Sequence, residues 1–140
     1  MSRRGCVLAL VAVAAGAADA ASPPSAERGR RLFVGEATLS ARIVGQDFVL
    51  PAQANRCINC HGPAAATAGA SATAAPPLSA TTLAQPRRRR GGPPSRYDTA
   101  TLCTLLRSGV DPAHVMIDRT MPRYEITDDE CRSLWLHLNR

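Results

Sequence analysis

The residues best suited to chemistry in this chain lie in one short run. Cys57, Cys60 and His61 form a C-x-x-C-H pattern within the sequence Cys-Ile-Asn-Cys-His. This spacing is typical of covalent haem attachment, in which two thiols add to the vinyl groups of one haem and the next histidine lies under the iron. The run therefore predicts one haem c, attached through Cys57 and Cys60, with His61 as an iron ligand.

Two other uses of a Cys-x-x-Cys pair are less favoured. A redox-active pair of thioredoxin type belongs to a β-α-β pattern, and no such pattern surrounds Cys57. A zinc site needs a second pair of ligands, whereas the remaining candidates are scattered along the chain: Cys103, Cys131, His114 and His137. An exported thiol protein without haem stays as a third interpretation.

Met121 is the favoured second iron ligand. Pro122 follows it and keeps the backbone of Met121 out of the helical region, so an extended segment can lay a thioether across one haem face. Met116 lies between two β-branched residues and is expected to pack. His137 lies beside the apolar face of the last predicted helix and is a weaker candidate. The predicted metal ligands are therefore His61 and Met121.

Three helices are predicted from capping residues and apolar spacing. One begins after Ser25 and ends at Gly35, and a second begins after Asp98 and ends at Gly109. The third begins with the capping box of residues 127–130, Thr-Asp-Asp-Glu, and then carries apolar residues at i, i+3, i+4 and i+7. The predicted fold class is all-α, with short helices and long loops.

The connections between these helices are long. Residues 37–50 predict a small hairpin or an extended loop, residues 63–77 a loop of small residues, and residues 86–94 a basic turn. Aromatic residues make up only 4% of the chain, which is little for a core. We therefore expect the short helices to wrap around the haem, which supplies the missing interior.

The beginning of the chain predicts export. Two arginines precede an apolar run over residues 6–18, which is too short to cross a bilayer, where about 20 residues are needed. Small residues follow, with cleavage expected after Ala20. The predicted organisation is a signal peptide at 1–20, a flexible lead at 21–25 and a single domain at 26–140, periplasmic and without a stable membrane span once mature. An uncleaved N-terminal anchor is the alternative.

The composition limits the class of protein, and the cysteine content agrees with export. The chain of 140 residues has 17 basic residues, all arginine, and 11 acidic ones, for a net charge of +6. Its length and composition exclude a multidomain enzyme, a collagen-like chain and a polytopic membrane protein. Besides the C-x-x-C pair, the mature chain retains Cys103 and Cys131, which form either a disulfide or two separate thiols.

With these motifs the chain resembles the small monohaem class I c-type cytochromes, over about residues 26–139. The resemblance rests on the haem motif followed by Gly62, on the Pro-Pro-Leu run at residues 76–78, on the Thr-Met-Pro run at residues 120–122 and on the closing amphipathic helix. It implies a cytochrome c-like fold. The segment from Gly35 to Arg56 is longer than the minimal pattern of that family.

The resemblance also implies particular contacts. The carbonyl of Pro77 would accept a hydrogen bond from His61, and Leu78 would pack on the porphyrin. The first and last helices would cross where Gly29 and Phe33 meet two residues of the last helix, Leu134 and Trp135.

The arginine run at residues 87–90 has three candidate roles. It can neutralise the haem propionates, with Arg96, Tyr97 and Tyr124 as further donors. It can attract an acidic electron-transfer partner, or it can be a solvated turn without a specific role. Nucleic-acid binding is not expected, because the chain is exported and shows no aromatic stacking pattern.

These features together predict a periplasmic electron-transfer cytochrome c. It would relay single electrons between a periplasmic dehydrogenase and a downstream acceptor or terminal oxidase, and it would not itself be an enzyme. A methionine ligand favours ferrous iron and hence a moderately positive potential. The alternative is a haem enzyme or gas sensor with an open sixth coordination site.

Overall fold

Short helices and very short strands alternate along the chain. The computed structural model describes residues 23–63 and 75–140. The helices there are α1 (Ala26–Val34), α2 (Cys57–His61), α3 (Ala80–Ala84), α4 (Thr99–Ser108) and α5 (Asp128–Leu138). The strands are β1 (Ser40–Arg42), β2 (Arg87–Arg88), β3 (Pro94–Ser95) and β4 (Arg123–Glu125). The predicted signal peptide and residues 64–74 of the predicted loop lie outside the described residues.

The fold is mixed α/β, so the prediction of an all-α, cytochrome c-like fold is wrong. β1 pairs antiparallel with β4, and β2 pairs antiparallel with β3. The extended backbone expected around Pro122 continues into β4, where Tyr124 lies opposite Ala41. Strands of two or three residues give no alternating pattern in a sequence, because that pattern needs at least four residues.

The three predicted helices are confirmed as α1, α4 and α5. Their N-caps are Ser25, Asp98 and Thr127, and each side-chain oxygen accepts a hydrogen bond from the backbone N–H three residues later. Gly35 and Gly109 follow α1 and α4 in the left-handed region, with φ of 83° and 77°. Glycine reaches that region without steric cost, so it ends these helices where the sequence predicts.

The crossing of α1 and α5 forms the centre of the core. Gly29 in α1 lies so close to α5 that a Cβ there would overlap the carbonyl oxygen of Ser133. One turn further along α1, the ring of Phe33 lies 5.4 Å from that of His137. The predicted helix crossing is therefore present, but Gly29 meets Ser133 and His137. Leu134 and Trp135 take part in the same core cluster.

A disulfide joins α4 to α5. Cys103 and Cys131 are bonded, with their Cα atoms 5.6 Å apart, and both are buried. The sequence leaves open either a disulfide or two separate thiols, and the structure contains the disulfide. The chain between the two cysteines contains Met121 and all of β4. The disulfide therefore closes a covalent loop that carries part of the predicted site.

No helix among the described residues has the length and the hydropathy that are needed to cross a bilayer.

Replacing Gly29 by alanine is expected to destabilise the chain. The added methyl group has to push the backbone of α5 aside, and overpacking of this kind costs about 1–3 kcal/mol. Urea unfolding of Gly29→Ala measures the loss. Gly45→Ala is the control, because a Cβ at Gly45 meets nothing within 4 Å and only its φ of 82° is unfavourable. Equal losses in the two variants would show that close packing at Gly29 is unimportant.

Removing the disulfide is expected to lower the free energy of unfolding by about 3–4 kcal/mol, because a closed loop of 28 residues restricts the unfolded chain. The double variant Cys103→Ala with Cys131→Ala should unfold at a lower urea concentration than the parent. A reductant should lower the midpoint of the parent and leave that of the variant unchanged. Identical midpoints for both proteins under oxidising conditions would contradict this prediction.

Candidate functional site

The one-turn helix α2 carries the chemically active residues Cys57, Cys60 and His61. Cys57 is half-buried, Cys60 is exposed, and both are free thiols. Gly62 ends the turn and is buried, and a Cβ there would overlap the carbonyl oxygen of Ile58. Glycine after His61 is therefore required by the close approach of the backbone, and it sets where the imidazole leaves the helix.

His61 is held by a hydrogen bond to a backbone carbonyl. Its Nδ1 lies 2.8 Å from the carbonyl oxygen of Pro76. A carbonyl only accepts hydrogen bonds, so Nδ1 carries the proton and Nε2 keeps its lone pair. Burial lowers the pKa of His61, and the bond to Pro76 opposes that shift only in part. The imidazole is therefore neutral at physiological pH, with one fixed tautomer.

The partner of His61 is Pro76, so the prediction of Pro77 is wrong by one position. The carbonyl of Pro77 instead accepts a hydrogen bond from the hydroxyl of Thr82 at 2.9 Å, which braces the first turn of α3. The two adjacent proline carbonyls therefore have different partners, and only that of Pro76 accepts from the imidazole.

Tyr124 lies beside the sulfur of Cys57 and is hydrogen-bonded to the backbone of Asn55. The Tyr124 hydroxyl donates to the carbonyl oxygen of Asn55 at 2.9 Å, and the Asn55 side chain donates to the carbonyl oxygen of Leu39 at 2.7 Å. Burial raises the pKa of the Cys57 thiol to about 11, although the neighbouring Tyr124 hydroxyl acts in the opposite direction. Burial likewise raises the pKa of Tyr124. This side of α2 is therefore uncharged.

Apolar residues of the predicted site pack against the core. Leu78 and Met121 belong to the partly buried residues that pack against the core, as do Cys57 and Ile58. The prediction that Met116 packs is wrong, because 57% of its surface is exposed. Its loop turns inward at a buried aspartate instead, which leaves the methionine on the outside.

Two further predicted site residues, Arg96 and Tyr97, directly follow the basic turn. Tyr97 is buried, with its ring 4.9 Å from the guanidinium carbon of Arg89, and its backbone N–H donates to the carbonyl oxygen of Leu83. Arg96 is exposed. Tyr97 therefore contributes to the packing of the basic turn, and its role as a donor in the site stays a prediction.

The prediction of the cofactor is contradicted. Within residues 23–63 and 75–140, no group of three or more His, Cys, Asp or Glu side chains is arranged to hold a metal ion. The bonded cysteines are Cys103 and Cys131, whereas Cys57 and Cys60 are free. The absence of such a group and the pairing of the cysteines overturn the prediction of one haem c attached through Cys57 and Cys60. The assignment of His61 and Met121 as ligands is not tested by these findings and stays a prediction.

Comparisons with known proteins add no relative. A scan against protein-family models, a search of curated proteins and a search of solved structures each return no match for this chain. The resemblance to the class I c-type cytochromes therefore rests on its sequence motifs and stays a prediction.

Sequence reasoning missed two residues of this site. Pro76 was one position away from the proline that the family resemblance selected, and only the direction of its carbonyl distinguishes the two. Asn55 lies two residues before Cys57 and is buried with 6% of its surface exposed. The sequence around Asn55 gives no sign of this burial, because the role of Asn55 depends on the distant Tyr124.

The stability of the chain should depend on the protonation of His61. Its pKa is lowered by folding from the ordinary 6.5, so the unfolded chain takes up the proton first. The contribution of His61 to the free energy of unfolding is therefore fully present above pH 6.5. It is lost as the pH drops toward the lowered pKa of the folded state, by at most about 1.4 kcal/mol per pH unit.

The variant His61→Asn keeps an amide donor for Pro76 and should lose this part of the pH dependence. Urea unfolding of both proteins at a series of pH values between neutral and mildly acidic measures this pH dependence. His137, whose pKa is also lowered by burial, contributes with the same sign and remains in the variant. The exposed His114 serves as the control, as His114→Asn. If parent and His61→Asn differ by a constant amount at every pH, this histidine is not the titrating group.

Proposed function

We propose that this chain is a periplasmic electron carrier, which relays single electrons between a periplasmic dehydrogenase and a downstream acceptor or terminal oxidase. The observation that carries the proposal is the hydrogen bond from His61 to Pro76. It fixes an unprotonated Nε2 one residue from Cys60, on a helical turn that also carries Cys57. The small monohaem class I c-type cytochromes, which the sequence resembles, are electron carriers with this combination of residues.

The ionisation of Cys57 favours this proposal over thiol–disulfide exchange. Catalysts of exchange use a thiol whose pKa is near or below neutrality. With a pKa of about 11, only about one Cys57 sulfur in ten thousand is a thiolate at pH 7. The first cysteine of the pair is therefore a poor nucleophile.

The accessibility of the site suits exchange of electrons with another protein. Cys60 is exposed and His61 is half-buried, so α2 reaches the surface. The inner side of the same turn packs against the core, which holds it rigidly. In this proposal the chain performs no reaction on a substrate, and partners approach the exposed side of α2.

The proposed location is the periplasm, after removal of residues 1–20. The disulfide between Cys103 and Cys131 supports this location, because structural disulfides persist in oxidising compartments. Without residues 1–20, which contain two arginines and one aspartate, the chain has 15 basic and 10 acidic residues. Its net charge of +5 attracts partners with acidic surfaces at a distance.

A redox titration of the chain, produced with its own export signal and purified from the periplasm, tests the proposal. We expect one reversible transition with a slope of about 59 mV for each tenfold change in the ratio of oxidised to reduced protein, which is the value for one electron. His61→Ala should shift or abolish the transition. His114→Asn, at an exposed histidine outside the site, should leave it in place.

Two outcomes would contradict the proposal. A slope of about 30 mV, lost in Cys57→Ser, would assign the pair to two-electron thiol chemistry. Absence of any transition in the exported protein would exclude electron transfer as its function.

A further inference from the structure

The hairpin formed by β2 and β3 is anchored to the protein by one of its own arginines. The guanidinium of Arg89 donates to the carbonyl oxygen of Thr82 at 2.6 Å and to that of Ser95. It also lies over the ring of Tyr97, 4.9 Å from the centroid. These contacts tie the hairpin to the end of α3, so the hairpin has a fixed direction.

A second arginine of the hairpin is used in the same way. Arg90 lies 3.3 Å from the carboxylate of Asp111, whose side chain is fully buried. The same carboxylate accepts hydrogen bonds from the backbone N–H groups of Ala113 and Val115, each at 2.9 Å. A buried carboxylate requires such compensation. Arg90 therefore fixes the turn between β2 and β3 to the loop that follows α4.

The other two arginines of the run make no such anchoring contacts. Arg87 and Arg88 form β2 and are both exposed, opposite Ser95 and Pro94 of β3. Within the described part of the chain, their side chains form neither an ion pair nor a hydrogen bond. A guanidinium offers five donors in a plane that matches a carboxylate. The hairpin thus presents two unused guanidinium groups on a rigid support.

The charge around this hairpin favours an acidic partner. Described residues from 51 to 124 contain nine arginines and three acidic residues, a net charge of +6. The remaining described residues, 23–50 and 125–140, contain six arginines and seven acidic residues, a net charge of −1. The excess positive charge therefore belongs to the part of the chain that contains the hairpin, and such an asymmetry orients an approaching acidic molecule.

We propose that Arg87 and Arg88 are a docking site for an acidic surface of a partner protein. The inference concerns docking alone and does not depend on the proposed redox function. Carboxylates are favoured over a lipid surface because residues 86–96 contain only Pro, Arg, Gly and Ser. Peripheral membrane segments combine basic residues with apolar side chains that enter the acyl region, and this hairpin has none to insert.

The test uses a fluorescently labelled peptide of glutamates as the acidic probe, with binding to the full mature chain followed by anisotropy. At low salt, Arg87→Ser with Arg88→Ser should weaken binding about five- to tenfold. Arg132→Ser with Arg140→Ser removes the same formal charge from exposed positions in and after α5, and it should weaken binding less than about twofold. Physiological salt should weaken binding of the parent strongly.

A second variant keeps the inference falsifiable. Arg87→Glu with Arg88→Glu reverses the sign of the docking site and should abolish binding of the glutamate peptide. Equal losses in the hairpin and control variants would show that only net charge matters and would overturn the inference. So would absence of binding by the parent, or binding to vesicles of phosphatidylglycerol without binding to the peptide.

Discussion

Tyr124 holds together two segments that are 69 residues apart in the chain. Its strand pairs with β1, and its hydroxyl donates to the carbonyl of Asn55, two residues before α2. The segment after Met121 and the segment before Cys57 therefore form one unit, although neither contains a long element. The position of α2 relative to the rest of the site depends on this buried phenol.

Burial gives the site its chemical character. Removal from water disfavours a charge on any side chain, so the same cause raises the pKa of Cys57 and lowers that of His61. Both groups are consequently neutral near pH 7, beside a tyrosine that also stays protonated. The side chains around α2 are therefore neutral, whereas the chain as a whole carries a net positive charge.

The helices were predictable because their signals are local. Ser25, Asp98 and Thr127 each cap a helix through a contact with a residue three positions away, and Gly35 and Gly109 end helices through their own backbone conformation. The strands were not predictable, because each has two or three residues and exists only through its partner. The pairing of β1 with β4 in particular joins segments from opposite ends of the described chain.

The site was predictable only in part. The spacing of Cys57, Cys60 and His61 indicated a candidate site, and the structure places all three on α2. The choice between Pro76 and Pro77 depends on the direction of a carbonyl, which a sequence does not record. The cofactor prediction came from the same short motif. It is contradicted because the described residues contain no group of His, Cys, Asp or Glu side chains arranged to hold a metal ion.

The disulfide between Cys103 and Cys131 also determines what a protease can release. A single cut anywhere between the two cysteines leaves both fragments joined by a covalent bond. The exposed loop around Met116 can thus be nicked without separating α5 from the body of the protein. In a compartment that contains proteases, such damage becomes visible as two separate peptides only after the sulfur–sulfur bond has been reduced.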